Sequence, residues 1–204
     1  MPSPNILKQD VAGGYYHIYT RGVDKRQIFI EPKDYAVFLN LLKRYLSVES
    51  QKDNNGISYP HLYGQLEILS FCLMPNHLHL LVYQKESGTM QKLMRGVLTS
   101  YSKYFNKTYN RRGPLFESRY KASLISNHSY LEHISRYIHL NPRDWQNYSY
   151  SSLPYFLGKY KAEWVKPKKI LDMFNTPQDY SVFIVDYQDH KKMLDGIKSE
   201  LADS

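Results

Sequence analysis

Pro75-Asn76-His77-Leu78-His79-Leu80-Leu81-Val82 is the stretch on which the reading of this chain turns. Alternate residues of a β-strand share a face, so His77 and His79 project to one side while Leu78, Leu80 and Val82 project to the other. The leucine side belongs to a core. The histidine side sets two imidazoles one residue apart, half of a site able to grip one cation; the plainer reading is two partly exposed strand histidines. Upstream, Leu66 to Leu73 is a second apolar run, and Met74-Pro75-Asn76 turns it into the histidine strand, which predicts a hairpin.

Working outward, Tyr15-Tyr16-His17-Ile18-Tyr19-Thr20 follows Gly13-Gly14 and reads as a first strand closed by Arg21-Gly22. Tyr35, Phe38, Leu39, Leu42, Tyr45 and Leu46 recur at helical spacing and predict a helix over 32–47 with Pro32 in its first turn. The polar stretch from Val48 to His61, with Asn54-Asn55-Gly56, reads as a loop. Met90, Leu93, Met94, Val97, Leu98, Tyr101, Tyr104 and Phe105 predict a long helix over 89–107, which Gly96 weakens. Leu115 to Ile125 reads as a fourth strand. Ser129 and Glu132 form a capping-box pattern that makes Ser129 the N-cap of a helix carrying Tyr137 and Asn141 on one face, four residues apart.

The order strand, helix, strand, strand, helix, strand, helix predicts an α+β fold: a ferredoxin-like or RRM-like antiparallel sheet flanked by helices. Residues 1–142 then form the main domain, the catalytic one if the histidine strand is part of an active site. Residues 143–204 form a C-terminal extension packing on it, with an apolar piece at Ile170 to Phe174 and a last helical segment from about Pro177.

Among 204 residues, 27 Lys and Arg against 19 acids give +8, which favours a polyanionic partner. Twenty tyrosines, many beside basic residues, suit stacking on unpaired bases while cations follow phosphates, although any one tyrosine also reads as a half-buried core residue. Arg111, Arg112, Phe116, Arg119, Tyr120 and Lys121 form one such group, and Arg21 with Lys25 and Arg26 a second. Each cation alone also reads as a solvated charge. The single cysteine, Cys72, excludes a disulfide framework and a zinc ribbon and leads us to expect a reducing, cytoplasmic setting. No stretch approaches the length of a membrane span, and Met1 to Asp10 has no apolar run.

Imidazole binds several first-row divalent ions, and an amide oxygen is a hard donor that tolerates magnesium or manganese. His77, His79 and Asn141 would supply three ligands and leave positions open for a phosphate oxygen. Tyr137 is the candidate nucleophile; its free phenol, with a pKa of about 10, needs help to lose a proton. On residues alone, Tyr137 also reads as a core aromatic and Asn141 as the residue that ends a helix before Pro142. His139 lies about 160° round the helix from Tyr137 and is set aside as a ligand. His133 and His17 are candidates for a proton acceptor or a phosphate contact.

Four pieces of the chain together resemble the REP-associated tyrosine transposases, a branch of the one-tyrosine HUH single-strand transposases. They are Gly14 to Gly22, Met74 to Val82, Gly113-Pro114-Leu115-Phe116-Glu117-Ser118-Arg119-Tyr120-Lys121, and Tyr137-Ile138-His139-Leu140-Asn141-Pro142. The resemblance covers roughly Gly13 to Pro142. It implies an HUH endonuclease fold, a divalent metal (Mg2+ or Mn2+) held by His77, His79 and Asn141, and a 5′-phosphotyrosine bond through Tyr137 that lets DNA be cut and rejoined. The implied substrate is single-stranded DNA carrying a small hairpin. Insertion-sequence relatives often carry Gln where this chain has Asn141 and act as dimers that exchange tyrosine helices. Asn141 points to the REP-associated branch and leaves both a homodimer and a monomer open. Two rival readings are a metal phosphodiesterase that uses water and a non-catalytic single-stranded nucleic-acid-binding module.

Overall fold

The computed structural model describes residues 9–52 and 55–186; Asn54 of the expected loop and the extension beyond 186 lie outside the described residues. Strand β1 (Gly14–Arg21), helix α1 (Pro32–Leu46), strands β2 (Leu66–Met74) and β3 (His77–Gln84), helix α2 (Thr89–Thr108), strand β4 (Lys121–Leu124) and helix α3 (Leu131–His139) follow in that order. Three short helices complete the described chain: α4 (Leu153–Phe156), α5 (Lys168–Leu171) and α6 (Pro177–Val185). The four strands form one antiparallel sheet in the order β2-β3-β1-β4. This is the α+β arrangement expected from the sequence.

Pro75 and Asn76 alone join β2 to β3, which pins the hairpin register and sets Met74 opposite His77 and Cys72 opposite His79. On its other side β3 pairs with β1, setting Tyr19 opposite His79 and Arg21 opposite His77. Period-two alternation then divides the sheet. Tyr16, Ile18, Leu78, Leu80, Val82, Phe71 and Leu73 pack with α1 and α2 in one apolar core. Leu69, Cys72 and Leu81 turn to the opposite face and meet Leu131, Ile134 and Ile138 of α3. Each fully buried aliphatic side chain of this kind contributes roughly 1.5–3 kcal/mol.

Two contacts lock α1 to α2. Asp34 accepts the Ile30 and Glu31 amides at the start of α1, at 2.8 and 3.0 Å, and the hydroxyls of Tyr104 and Tyr109 from the far end of α2, at 2.9 and 2.8 Å. Gly96, unfavourable for helix propensity alone, sits where a Cβ would run into the Tyr45 side chain, so it buys the close approach of the two helices.

The structure departs from the sequence expectation at three places. The expected fourth strand over 115–125 is paired only at Lys121–Leu124. Tyr19 lies opposite Lys121 while Gly22 bridges Phe116, so the chain between Phe116 and Lys121 has two more residues than the β1 side can pair. Exposed Glu117, Ser118 and Arg119 take up the excess outside the sheet. Ser129 is not the cap of α3: the Asn127 side chain accepts the Ser129 amide and caps a single 3-10 turn, His128–Tyr130, from which α3 continues. Asn141 is beyond the helix, because α3 ends at His139 with Leu140 as its C-cap.

Residues 143–186 run along β2. Leu73 donates its amide to Tyr150 and Ser152 donates to Phe71, both at 2.9 Å, while the Lys166 amide reaches Ile68 at 2.8 Å. The Phe71 amide donates to Ser152 Oγ at 2.8 Å. This sheet margin is therefore satisfied by the chain itself.

Candidate active site

The His77–His79 pair faces α3, at the end of the sheet where β1 closes. Asn76 donates its Nδ2 to the Lys25 carbonyl at 3.2 Å, which turns its Oδ1 toward His77 Nδ1 at 2.6 Å. His77 Nδ1 is therefore the protonated nitrogen, and in the neutral ring Nε2 carries a lone pair. That lone pair meets Asn141 Oδ1 at 3.0 Å. Two lone pairs at this distance repel unless a cation or an added proton lies between them.

His79 is oriented in the same sense. Its Nδ1 is 3.0 Å from His17 Nε2, and its Nε2 is 3.3 Å from Asn141 Nδ2. An amide nitrogen donates, so His79 Nε2 accepts, Nδ1 carries the proton, and His17 Nε2 receives it. The His17 and His79 rings lie nearly parallel, 9° apart in plane, and both are fully buried. Burial, with the neighbouring His17, His77 and Arg21, holds the His79 pKa well below the ordinary 6.5 and keeps the ring neutral, as a metal ligand must be.

Both Nε2 atoms thus converge on one carboxamide, each fixed by a hydrogen bond at the far ring nitrogen, the arrangement that orients metal-binding histidines. Among the described residues no cluster of three or more His, Cys, Asp or Glu is placed to hold a metal ion. The third protein donor here is the Asn141 oxygen, and the set of two imidazoles and an amide fits a divalent cation with open positions.

Tyr137 of α3 stands at this cluster, half-buried. Its ring is edge-on to His79, with centroids 5.5 Å apart, and edge-on to His17 at 6.1 Å. The Tyr19 ring also packs on the pair, its centroid 5.8 Å from that of His77 and 5.1 Å from that of His79. The Arg21 Nε donates to the Tyr19 hydroxyl, and the Lys121 Nζ lies 5.9 Å from the Tyr19 ring centre. Strand pairing therefore delivers two cations to the histidine end of the sheet.

The remaining sequence candidates divide. Arg112 and Arg119 are exposed, and Phe116 is half-buried against the α1/α2 core. Tyr120 is corrected: at 7 % exposure it belongs to that core and offers no face for a base. Arg111 is engaged locally, donating to Asn106 Oδ1 at 2.9 Å and to the Pro114 carbonyl at 3.4 Å. His133 sits 3.0 Å from Arg136 Nη2 and 3.5 Å from Glu132 Oε1. His139 points away from the cluster, between Tyr180 and Ser152, and its burial brings its pKa down to about 3. The role of His17 as the partner of His79 was not readable from sequence, because pairing on β1 sets it opposite Leu81 and the contact runs diagonally across the strands.

Residues 60–141 match the family model of IS200-like transposases. The matched segment covers 82 of the 204 residues, less than half of the chain. It contains His77, His79, Tyr137 and Asn141, whereas β1, with His17 and Arg21, and the extension along β2 lie outside it. A solved REP-associated tyrosine transposase bound to a REP hairpin is similar in structure with a TM-score of 0.53 at 15 % identity, over 80 % of this chain and 92 % of that one, which shows a shared fold. A provisionally assigned transposase from Deinococcus radiodurans R1 is similar at 15 % identity over 68 % of this chain and 95 % of that one, but its TM-score of 0.39 carries no argument. No curated protein sequence matches significantly. Among the described residues no helix is long and apolar enough to cross a membrane.

Proposed function

We propose that this chain is an IS200-like transposase of the REP-associated branch, which cuts and rejoins single-stranded DNA next to a hairpin with Tyr137 as the nucleophile. The observation that carries the reading is the convergence of His77 Nε2, His79 Nε2 and the Asn141 carboxamide beside the Tyr137 ring. His77, His79 and Asn141 would hold a magnesium or manganese ion, whose contribution is Lewis-acid polarisation of the scissile phosphate.

The Tyr137 oxygen attacks phosphorus, the bond from phosphorus to the 3′ oxygen breaks, and the departing strand leaves with a free 3′-hydroxyl. The 5′ side stays on the protein as a phosphotyrosine. One phosphodiester is exchanged for another, so the step is reversible and consumes no nucleotide cofactor. Arg21 and Lys121, beside Tyr19, would hold the phosphate backbone at the cluster, and Arg112, Arg119 and Phe116 would contact the strand further along by charge and stacking.

Incubation with Mn2+ and an end-labelled hairpin oligonucleotide should give a DNA fragment covalently bound to the protein. Tyr137→Phe should abolish that adduct and leave DNA binding intact. Cleavage that continues in Tyr137→Phe, or that releases free 5′-phosphate ends without an adduct, would transfer the reaction to a water nucleophile.

A further inference from the structure

The helix that carries Tyr137 has nine residues, too few to hold a fixed place through helix stability alone. Leu131, Ile134 and Ile138 bury it against the sheet, but apolar contact is non-directional and leaves rotation weakly determined. Directional contacts come from the other side of the helix. Ser135 and His139 are four residues apart, share a face, and stand about 160° round from Tyr137.

Tyr180 of α6 sits on both of them. Its hydroxyl lies 3.0 Å from Ser135 Oγ and 2.7 Å from His139 Nδ1, while His139 Nε2 lies 2.7 Å from Ser152 Oγ. The shorter contacts give one consistent set of directions, in which the Ser152 hydroxyl turns to His139 at 2.7 Å rather than to the Phe71 carbonyl at 3.2 Å. The Ser135 hydroxyl donates to the Glu132 carbonyl at 2.7 Å, so its oxygen receives the Tyr180 proton. The Tyr180 oxygen then accepts His139 Nδ1–H, and His139 Nε2 accepts the Ser152 hydroxyl. Ser152 Oγ in turn accepts the Phe71 amide of β2. All four side chains are 0 % exposed. Removing a partner from this network leaves a buried polar atom unmatched, at a cost of about 1–3 kcal/mol. Arg136 adds a second tie: 1 % exposed, it donates to the Phe183 carbonyl at 3.0 Å and stacks its guanidinium 4.1 Å from the Phe183 ring centre.

We propose that Tyr180 and His139 are positioning residues: the extension fastens α3 to β2 in the one rotation that sets Tyr137 and Asn141 against the paired histidines. Assembly of the site then depends on α6, outside the IS200-like segment. The proposal rests on Tyr137 being the nucleophile.

Full-length Tyr180→Phe, which keeps the ring and loses only the hydroxyl, is compared with wild type in single-turnover adduct formation. Saturating hairpin oligonucleotide and Mn2+ are used at a temperature where circular dichroism shows both proteins folded. The expected result is a rate lower by about 10- to 100-fold, the scale of a small misplacement of reacting groups, with unchanged affinity for the oligonucleotide. His139→Gln, which retains a donor and an acceptor, should recover most of what His139→Leu loses. If His139→Leu does not fold, Ser135→Ala supplies the second variant. A folded Tyr180→Phe protein reacting at the wild-type rate overturns the proposal, since a purely structural contact would lower only the melting temperature. Failure of the underlying reading shows separately, as an adduct that survives Tyr137→Phe.

Discussion

Leu80 and His79 are neighbours on β3 and both are fully buried, yet they face opposite halves of the molecule. Leu80 enters a core of α1 and α2 side chains in which any well-shaped apolar group would serve. His79 enters a pocket where both ring nitrogens are matched by named partners, His17 and Asn141. Burying a hydrocarbon needs only volume, whereas burying an imidazole needs a partner for each nitrogen. The first face therefore holds the fold together, and the second uses burial to orient the paired imidazoles.

That contrast can be broken by measurement. Replacing His77 and His79 together by alanine should lower adduct formation by about a thousandfold or more, because Lewis-acid stabilisation is worth several kcal/mol and each 1.4 kcal/mol is tenfold. Circular dichroism should show the protein still folded; loss of the fold would mean the two faces are not separable. Leu80→Ala should do the reverse, costing about 2–5 kcal/mol in urea unfolding while the folded fraction still forms the adduct at its usual rate.

Smaller effects sharpen the comparison. His17→Phe leaves the His79 Nδ1 proton without its acceptor and should weaken Mn2+ binding by about 10- to 100-fold in calorimetry. Asp34→Asn should lower stability by about 1–2 kcal/mol at neutral pH through its weakened amide and hydroxyl contacts. Burial pushes the Asp34 carboxyl up, but the Glu31 and Ile30 amides and the Tyr109 and Tyr104 hydroxyls outweigh it and hold the pKa below the ordinary 3.8. The carboxylate's contribution is thus present above 3.8 and is lost as the pH falls through the folded value. Urea midpoints of wild type and Asp34→Asn should differ at pH 7 and converge below about pH 3.8; a gap that persists in acid would remove Asp34 as its source.

The elements most legible in the sequence were those whose pattern is local. Period-two alternation through Leu78, Leu80 and Val82 gave the histidine strand its two faces, and 3.6-residue spacing located α1 and α2 closely. The short β4 was not legible, because Leu115 and Tyr120 are buried like strand residues while the chain between them leaves the sheet. Asn141 looked like a helical neighbour of Tyr137, yet its carboxamide comes to the histidines from just past the helix end. Tyr120 illustrates a broader limit: beside Arg119 and Lys121 it has the composition of a stacking surface, and only the packing shows it to be core. The pairings of His17 with His79 and of Tyr180 with His139 span 62 and 41 residues and leave no periodic trace.

The run of residues 143–186 along β2 carries one more consequence. The outward peptide groups of Ile68, Phe71 and Leu73 are occupied by Lys166, Ser152 and Tyr150 of the same chain. Among the described residues, the stretch from Ile68 to Leu73 therefore offers a second copy little open backbone along which to zip a continuous ribbon. Removing the extension would bare those groups and turn a quiet border into an adhesive one.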